Sequence, residues 1–338
     1  MSYRATLIPG DGIGPEVTGA TVEVLRAAGA PIEWEIVHAG MGAYEATGVP
    51  LPQAVIDSVK RNRVGLKGPL QTPKGKGFRS ANVQLRQGLQ LYTGWRPVRS
   101  MPGVKSRYSD VDVVVLRENT QGLYAGIEHH VTPDTVVSLK LSSRDAAIRI
   151  ARWAFEYARN AGRRRISVVH KKRVLPLTDG AFVDAFFEVG ADYPFIAQDE
   201  ISLDDLCVGL AQDPDPFDVM LLENLYGDII SDLCSGLVGG LGVVPGANCG
   251  DNVAVFEAVH GTAPDIAGKG IANPLAVLLS ALLMLDWMGE AKVAAAIRVA
   301  VHEVLSAGKT LTGDLGGSAN TAEFTAALID ALPRRGAR

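Results

Sequence analysis

Cysteine is scarce in this chain, and the three present rule out two kinds of scaffold. Cys207, Cys234 and Cys249 match no zinc-ligand spacing and no even disulfide framework, so they are expected as small core residues in a reducing compartment. An excess of charge is also missing: the formal net charge is -4 over 338 residues, which argues against a general affinity for nucleic acid. No apolar run is long enough to span a bilayer; the longest, LAVLLSALLMLDWMG, is broken by Asp286 and reads as a buried helix. The amino-terminal MSYRATLIPG has no apolar signal core. Together these absences predict a cytoplasmic protein with no membrane partner. What remains, 47% hydrophobic and 21% charged residues, suits a globular chain large enough for two core-bearing lobes.

Several segments share one design, a short β-branched apolar run, a polar cluster, then a helical pattern. RATLIPGDGIGPE, DVDVVVLREN, RRRISVVHKK and PFDVMLLEN all follow it. Continuous apolar strands of this kind are buried on both faces, which predicts an α/β fold. Their polar residues fall at strand carboxyl ends, where open α/β sheets place ligands. Helices are expected from about Pro274 to Ala307, and a last one from Thr321 after the turn TGDLGGSAN.

GDGIGPE invites a dinucleotide-fingerprint reading and fails it. Gly10, Gly12 and Gly14 alternate, Pro15 stands at the third fingerprint position, and His38-Ala39-Gly40 replaces the acidic residue that should close the next strand. A tight strand-to-helix turn is expected instead, with Pro15 in the first helical turn and Glu16 complementing the dipole.

Four polar constellations remain. FRSANVQLRQGLQLYTGWRPV carries Ser80, Asn82, Arg86 and Arg96, and VVVLRENTQGLYAG adds Arg117 at a strand end. Guanidiniums without a matching acidic run suit an anionic ligand, because Arg grips carboxylates bidentately. For any one of them a solvated surface arginine is the plainer reading. SVVHKKRVLPLTDG sets His170, Lys171, Lys172 and Arg173 at the end of a buried strand; one lysine there could move protons, or the stretch could be a basic turn. NLYGDIISD places Asp228 and Asp232 at i and i+4, on one helical face. Two carboxylates sharing a small volume are answered by a divalent cation, or, equally, by a helix cap and an outside basic partner. Last, FEAVHGTAPDIAGKGIANP has the composition of an ordered ligand loop or a structured turn, with His260, Asp265 and Asn273 as polar members.

With IPGDGIGPE, KGPLQTP, RSANVQLRQGLQLY, RENTQGLYAG, NLYGDIISDL, GLGVVPGAN and HGTAPDIAGKGIANP in this order, the whole chain resembles the β-decarboxylating dehydrogenases, and most of all the NAD-dependent isocitrate branch. The resemblance implies a non-Rossmann α/β fold. It implies a large lobe from about 1–97 and 239–338, and a small lobe of about 98–238 with an arm near 122–143 that forms a homodimer. Each active site would be shared by two subunits, with further pairing of dimers open. By position, Ser80, Asn82, Arg86, Arg96 and Arg117 match the grip on a tricarboxylate-like substrate. Tyr124 and Lys171 match the catalytic pair, the lysine coming from the partner chain. Asp228, Asp232 and a cross-interface Asp204 match the ligands of Mg²⁺ or Mn²⁺. His260, Gly261, Thr262, Ala263, Asp265 and Asn273 match the adenosine loop, and Thr72 a residue near the nicotinamide. Asp265 would repel a 2′-phosphate and Ile266 offers no charge to bind one, so NAD is expected over NADP.

The chain departs from the family after the catalytic lysine, where Lys172 and Arg173 replace a small residue and an Asn. Arg173 either turns to solvent or adds a cation for a more anionic isocitrate analogue. Such analogues include 3-phosphonomethylmalate and homoisocitrate; a catalytically silent regulatory subunit is the alternative from another class.

Overall fold

The computed structural model describes residues 2–71 and 80–333. Thr72 and Arg79 therefore lie outside the described residues. The predicted α/β class is right, and the sheet is larger than two simple βα halves would need. Ten strands form one sheet in the order β2-β1-β3-β12-β11-β4-β5-β10-β8-β9. On one side stand β1 (Tyr3–Ile8), β2 (Ile32–Ile36) and β3 (Val64–Lys67); at the centre β4 (Thr93–Arg99) and β5 (Asp112–Glu118). The chain then leaves the sheet for a hairpin, β6 (Gly122–Thr132) and β7 (Thr135–Leu141), before adding β8 (Arg165–His170), β9 (Ala197–Ser202) and β10 (Val219–Leu222) at the far edge. It returns to the middle with β11 (Ala247–Cys249) and β12 (Ala254–Glu257). The pairings β12–β11, β11–β4 and β4–β5 are antiparallel, and the other pairings of this sheet are parallel. The expected lobe boundary at 97/98 falls inside β4, which pairs along its length with β5.

Helices cover both faces because β3, β10 and β12 are buried at every position. The first, α1 (Gly14–Ala27), follows the GDGIGPE turn; α2 (Met41–Thr47), α3 (Gln53–Asn62) and α4 (Ala81–Gly88) come next. Then α5 (Arg144–Ala161), α6 (Thr178–Gly190), α7 (Leu203–Gln212) and α8 (Asn224–Leu237) serve the β5–β10–β8–β9 side. The chain closes with α9 (Leu275–Trp287), α10 (Ala291–Ala307) and α11 (Thr321–Asp330), as the helical patterns predicted. Helix α9 is the long apolar run, and nine of its thirteen residues are buried, which is why it shows no polar face. No described helix is long and apolar enough to cross a membrane. Cys234 and Cys249 are buried core residues, as expected, and burial pushes both thiols up to about 12. Cys207 is only half-buried.

The GDGIGPE turn is structural, and it holds more than its own helix. The Asp11 carboxylate accepts from the backbone N–H groups of Met41, Gly42 and Gln71 at 2.9, 3.1 and 2.7 Å. Gly12 adopts φ +60°, and a Cβ there would lie 2.1 Å from the Thr262 carbonyl, so only glycine lets this turn lie on the 260s loop. Glu16 does complement α1, and its carboxylate also reaches the Ala272 N–H (2.8 Å) and the Thr321 hydroxyl.

Candidate active site

The carboxyl ends of the parallel strands carry the charge. Lys67 ends β3, Arg117-Glu118 ends β5, His170 ends β8 and Glu257 ends β12. Lys67 and Glu257 face each other in the β3–β12 register, with Lys67 Nζ 2.6 Å from the carboxylate. Arg86, from α4, and Arg96, from β4, approach the same carboxylate at 3.1 and 3.7 Å, and Asn248 donates to it. Arg96 follows the end of α4 and belongs to β4. It is 4% exposed inside the sheet, donating to the Ala247 carbonyl and to Asn248 Oδ1 at 2.5 and 3.2 Å. A Cβ on Gly246 would meet its guanidinium at 2.9 Å, which explains glycine there. Burial alone would raise the Glu257 carboxyl; Lys67, Arg86 and Arg96 outweigh it and hold the group well below the usual carboxylate range. Burial conversely lowers Arg96 to about 10, against the pull of Glu257.

Arg117 links this cluster to the aspartates of α8. Its Nε and Nη2 both donate to Asn224 Oδ1, at 3.0 and 2.8 Å, and Nη1 is paired with Asp228. Helix α8 can come this close because Gly227 has no side chain; a Cβ would stand 2.6 Å from Arg117 Cβ and Cγ. Tyr124, from β6, donates its hydroxyl to the other oxygen of Asp228, and its ring lies 5.1 Å from the Arg117 guanidinium carbon. Asp228 is therefore neither a helix cap nor alone; Glu223 occupies the cap position of α8. Asp232 makes no hydrogen bond among the described residues, and burial, then Asp228, push its carboxyl up. A carboxylate in that position is relieved by a cation, and two oxygen-donor side chains at i and i+4 suit a hard divalent ion such as Mg²⁺ or Mn²⁺.

Asn82 Oδ1, Arg86 Nε and His260 Nε2 are buried without a partner among the described residues, an arrangement expected where a polar ligand supplies the missing bonds. Ser80 precedes α4 at its cap position, with no capping hydrogen bond from its side chain. In the 260s loop, Gly261 and Asp265 are exposed, Thr262 and Ala263 half-buried, and Ala263 has φ +39°. Asn273 is already engaged: its amide donates to Asp314 (2.9 Å) and its oxygen accepts from Leu275 N–H at the start of α9.

Lys171 and Asp204 form a separate group, paired at 2.5 Å at the β8 end of the sheet. No described hydrogen bond or ion pair joins either to Tyr124, Asp228 or Asp232, and no three His, Cys, Asp or Glu side chains among the described residues gather as a metal set. Lys172 is paired with Glu200, and Arg173 is exposed with no described partner. Sequence reading passed over Lys67, Glu257, Asn224 and Asn248. For the first two a signal existed: each is a charged residue closing a wholly apolar strand, VGLK and AVFE.

A mixed ten-stranded sheet without the dinucleotide fingerprint, with arginines near its strand ends and paired aspartates on the adjoining helix α8, suits an α/β enzyme of anionic substrates. A family profile described as isocitrate/isopropylmalate dehydrogenase matches residues 4–330, and the chain belongs to that family. It is 50% identical over 322 residues to the probable mitochondrial NAD isocitrate dehydrogenase subunit alpha of Drosophila melanogaster, covering 95% of this chain and 85% of that protein. It is also 50% identical over 329 residues to catalytic subunit 5 of the mitochondrial NAD isocitrate dehydrogenase of Arabidopsis thaliana, covering 97% and 88%. The crystal structure of isocitrate dehydrogenase from Methylococcus capsulatus superposes with a TM-score of 0.94 at 45% identity, covering 97% of this chain and 99% of that one. These relatives correct one expectation. Both eukaryotic proteins are mitochondrial, so the absence of a signal core does not support a cytoplasmic assignment.

Proposed function

We propose that the chain catalyses the NAD-dependent oxidative decarboxylation of isocitrate. The observation that carries this reading is the convergence of Arg86, Arg96, Arg117, Tyr124 and the Asp228/Asp232 pair on one set of strand ends, in a chain of this family. Arg86, Arg96 and Arg117, with Ser80 and Asn82, hold the substrate carboxylates; Arg86 Nε, without a partner among the described residues, has its N–H available to donate to one. Asp228 and Asp232 hold Mg²⁺ or Mn²⁺, with Asp204 of a second copy as a third donor. When bound, the cation would lower the cost of negative charge on the substrate oxygen, and the dinucleotide would supply the hydride acceptor.

Within that frame the protein's own groups move the protons. Lys171 of the second copy takes the hydroxyl proton, directly or through a water. Tyr124 returns a proton to the carbon left by CO₂. Burial, then the hydrogen bond to Asp228, push its phenol up, so it stands protonated at neutral pH as a donor must. Asp265, exposed and without a described partner, accepts from the adenosine ribose and disfavours a 2′-phosphate. His260, Gly261, Thr262, Ala263 and Asn273 form the wall beside it.

Because Lys171 and Asp204 are paired away from Tyr124 and Asp228, the proposed active unit is a homodimer in which each copy completes the other's site. The β6–β7 arm supports this: Val131 is 62% exposed and Val136 54%, apolar surface that a second copy would cover. NADH formation from isocitrate, homoisocitrate, isopropylmalate and 3-phosphonomethylmalate, with Mg²⁺ and either NAD⁺ or NADP⁺, tests the reading. Slow turnover of isocitrate beside fast turnover of an analogue would transfer the specificity to Lys172 and Arg173. NAD binding without turnover of any acid would make the chain a silent subunit.

A further inference from the structure

A buried charge network lies beneath the Lys171 loop, and the mechanism above does not use it. Asp179 has no exposed surface, although it stands in the first turn of α6. Its carboxylate is not used to cap that helix. One oxygen, Oδ2, accepts from the backbone N–H of Lys171 at 2.7 Å and from the Tyr226 hydroxyl at 3.2 Å. The other, Oδ1, is paired with Lys140 and accepts from the Thr178 hydroxyl at 3.2 Å. The carbonyl of Lys171 is bound in turn by the N–H groups of Val174 and Leu175, at 2.8 and 2.9 Å. The backbone N–H and carbonyl of Lys171 are thus both held, and of these backbone anchors Asp179 is the one that carries a charge. Lys140, on strand β7 of the arm, also pairs with Glu223, the cap residue of the helix that bears Asp228 and Asp232, and lies 4.9 Å from the Tyr226 ring centre.

We propose that Asp179 is a positioning residue for Lys171, and that Lys140 ties this position to the arm and to α8. The inference rests on the reading of Lys171 as the proton-transfer group. A buried carboxylate with four donors has a single low-energy placement, so the peptide it holds is held as well. The lysine that serves a second copy must project across an interface, where a displacement of about 1 Å is worth on the order of 100-fold in rate. Lys140 is also the counter-ion that makes the buried Asp179 tolerable. Through it, the placement of the arm and of Lys171 become one structural unit.

The test is a double-mutant cycle on the full-length protein with isocitrate, NAD⁺ and Mg²⁺, beside a thermal melt of every variant. Asp179→Ala is expected to lower kcat by roughly 10- to 100-fold with both KM values within about threefold, since it acts on the chemical step and not on ligand contacts. Asp179→Asn, which keeps one acceptor, falls between. In a Lys171→Ala background the same changes cost less than about twofold, because the group they position is gone. Tyr226→Phe removes only one donor from Oδ2 and keeps the shape; it runs the same cycle, with a few-fold loss expected, should Asp179→Ala not fold. Losses that multiply undiminished in the Lys171→Ala background would overturn the positioning role and leave Lys171 catalytic. A Lys171→Ala enzyme of full activity would overturn the reading of Lys171 itself, and the positioning role with it.

Discussion

Replacing Glu257 by Gln isolates what the buried charge cluster contributes. Glu257 is 6% exposed, and Lys67, Arg86 and Arg96 all stand within 3.7 Å of it. The amide keeps the shape but leaves Lys67, 1% exposed, among cations with no described counter-charge. Breaking a buried pair by removing one partner costs about 3–5 kcal/mol. Unfolding entropy of about 2 cal/mol/K per residue gives roughly 0.7 kcal/mol/K for a chain of this size, so the melting temperature should fall by about 6 °C. The pH dependence gives a second reading. The Glu257 carboxyl is held below its ordinary value, so its contribution is complete above the ordinary carboxylate range and is lost as pH falls through the folded value. The gap between wild type and variant is therefore widest near neutrality and closes in strong acid. Lys67 is already lowered by burial, against Glu257; without Glu257 it falls further, and raising the pH lets the variant relieve itself by losing that proton. Thermal melts by circular dichroism across pH measure all of this. The double change Lys67→Met with Glu257→Gln should recover more than half of the loss. A Gln variant melting within about 1 °C of wild type at neutral pH would refute the reasoning.

Asp228→Asn removes the carboxylate shared by Arg117 and Tyr124 and replaces one charged cation donor with a neutral one; Mn²⁺ affinity, read by electron paramagnetic resonance, should weaken by about tenfold or more. Gly227→Ala forces a Cβ to within 2.6 Å of Arg117 and should cost about 1–3 kcal/mol in urea unfolding, with a raised KM for isocitrate as the guanidinium is displaced. Asp265→Ala should lower the preference for NAD⁺ over NADP⁺ by about tenfold in kcat/KM; an unchanged ratio would remove Asp265 from the adenosine site. Val136→Asp on the arm should shift the sedimentation of the protein toward a monomer and abolish turnover together.

The course of the chain shows how far sequence could reach. Strands ending in VVVLRE, SVVH and VMLL were legible because an apolar run buried on both faces needs no knowledge of its neighbours. Helix α9 followed from its long apolar run, and α10 and α11 from helical pattern and the turn before the last. The failed fingerprint at GDGIGPE excluded a Rossmann fold for a local reason, since Pro15 stands where the third glycine must let the helix pack closely on the strand. Arg86, Arg117, Asp228 and Asp232 could be singled out by residue type, with a surface arginine or a helix cap left open for them, and Tyr124 only by the family motif.

Which of these groups meet was decided only by the tertiary structure. By residue type Arg96 is only one arginine of a polar segment; in the structure it is a strand residue locked in the sheet, because β4 lies between β5 and β11, the latter more than one hundred residues further along the chain. Glu257 and Lys67 carry no motif of their own; their pairing exists because β12 returns to lie parallel with β3. Asp228 and Asp232 could be placed on one helical face by counting. That Arg117 and Tyr124 are the partners of Asp228 depends on Gly227 letting α8 approach β5. Local pattern records what each residue prefers, burial or a turn or a charge. Long-range pairing and close packing, which depend on the whole chain at once, determine which preferences are satisfied together.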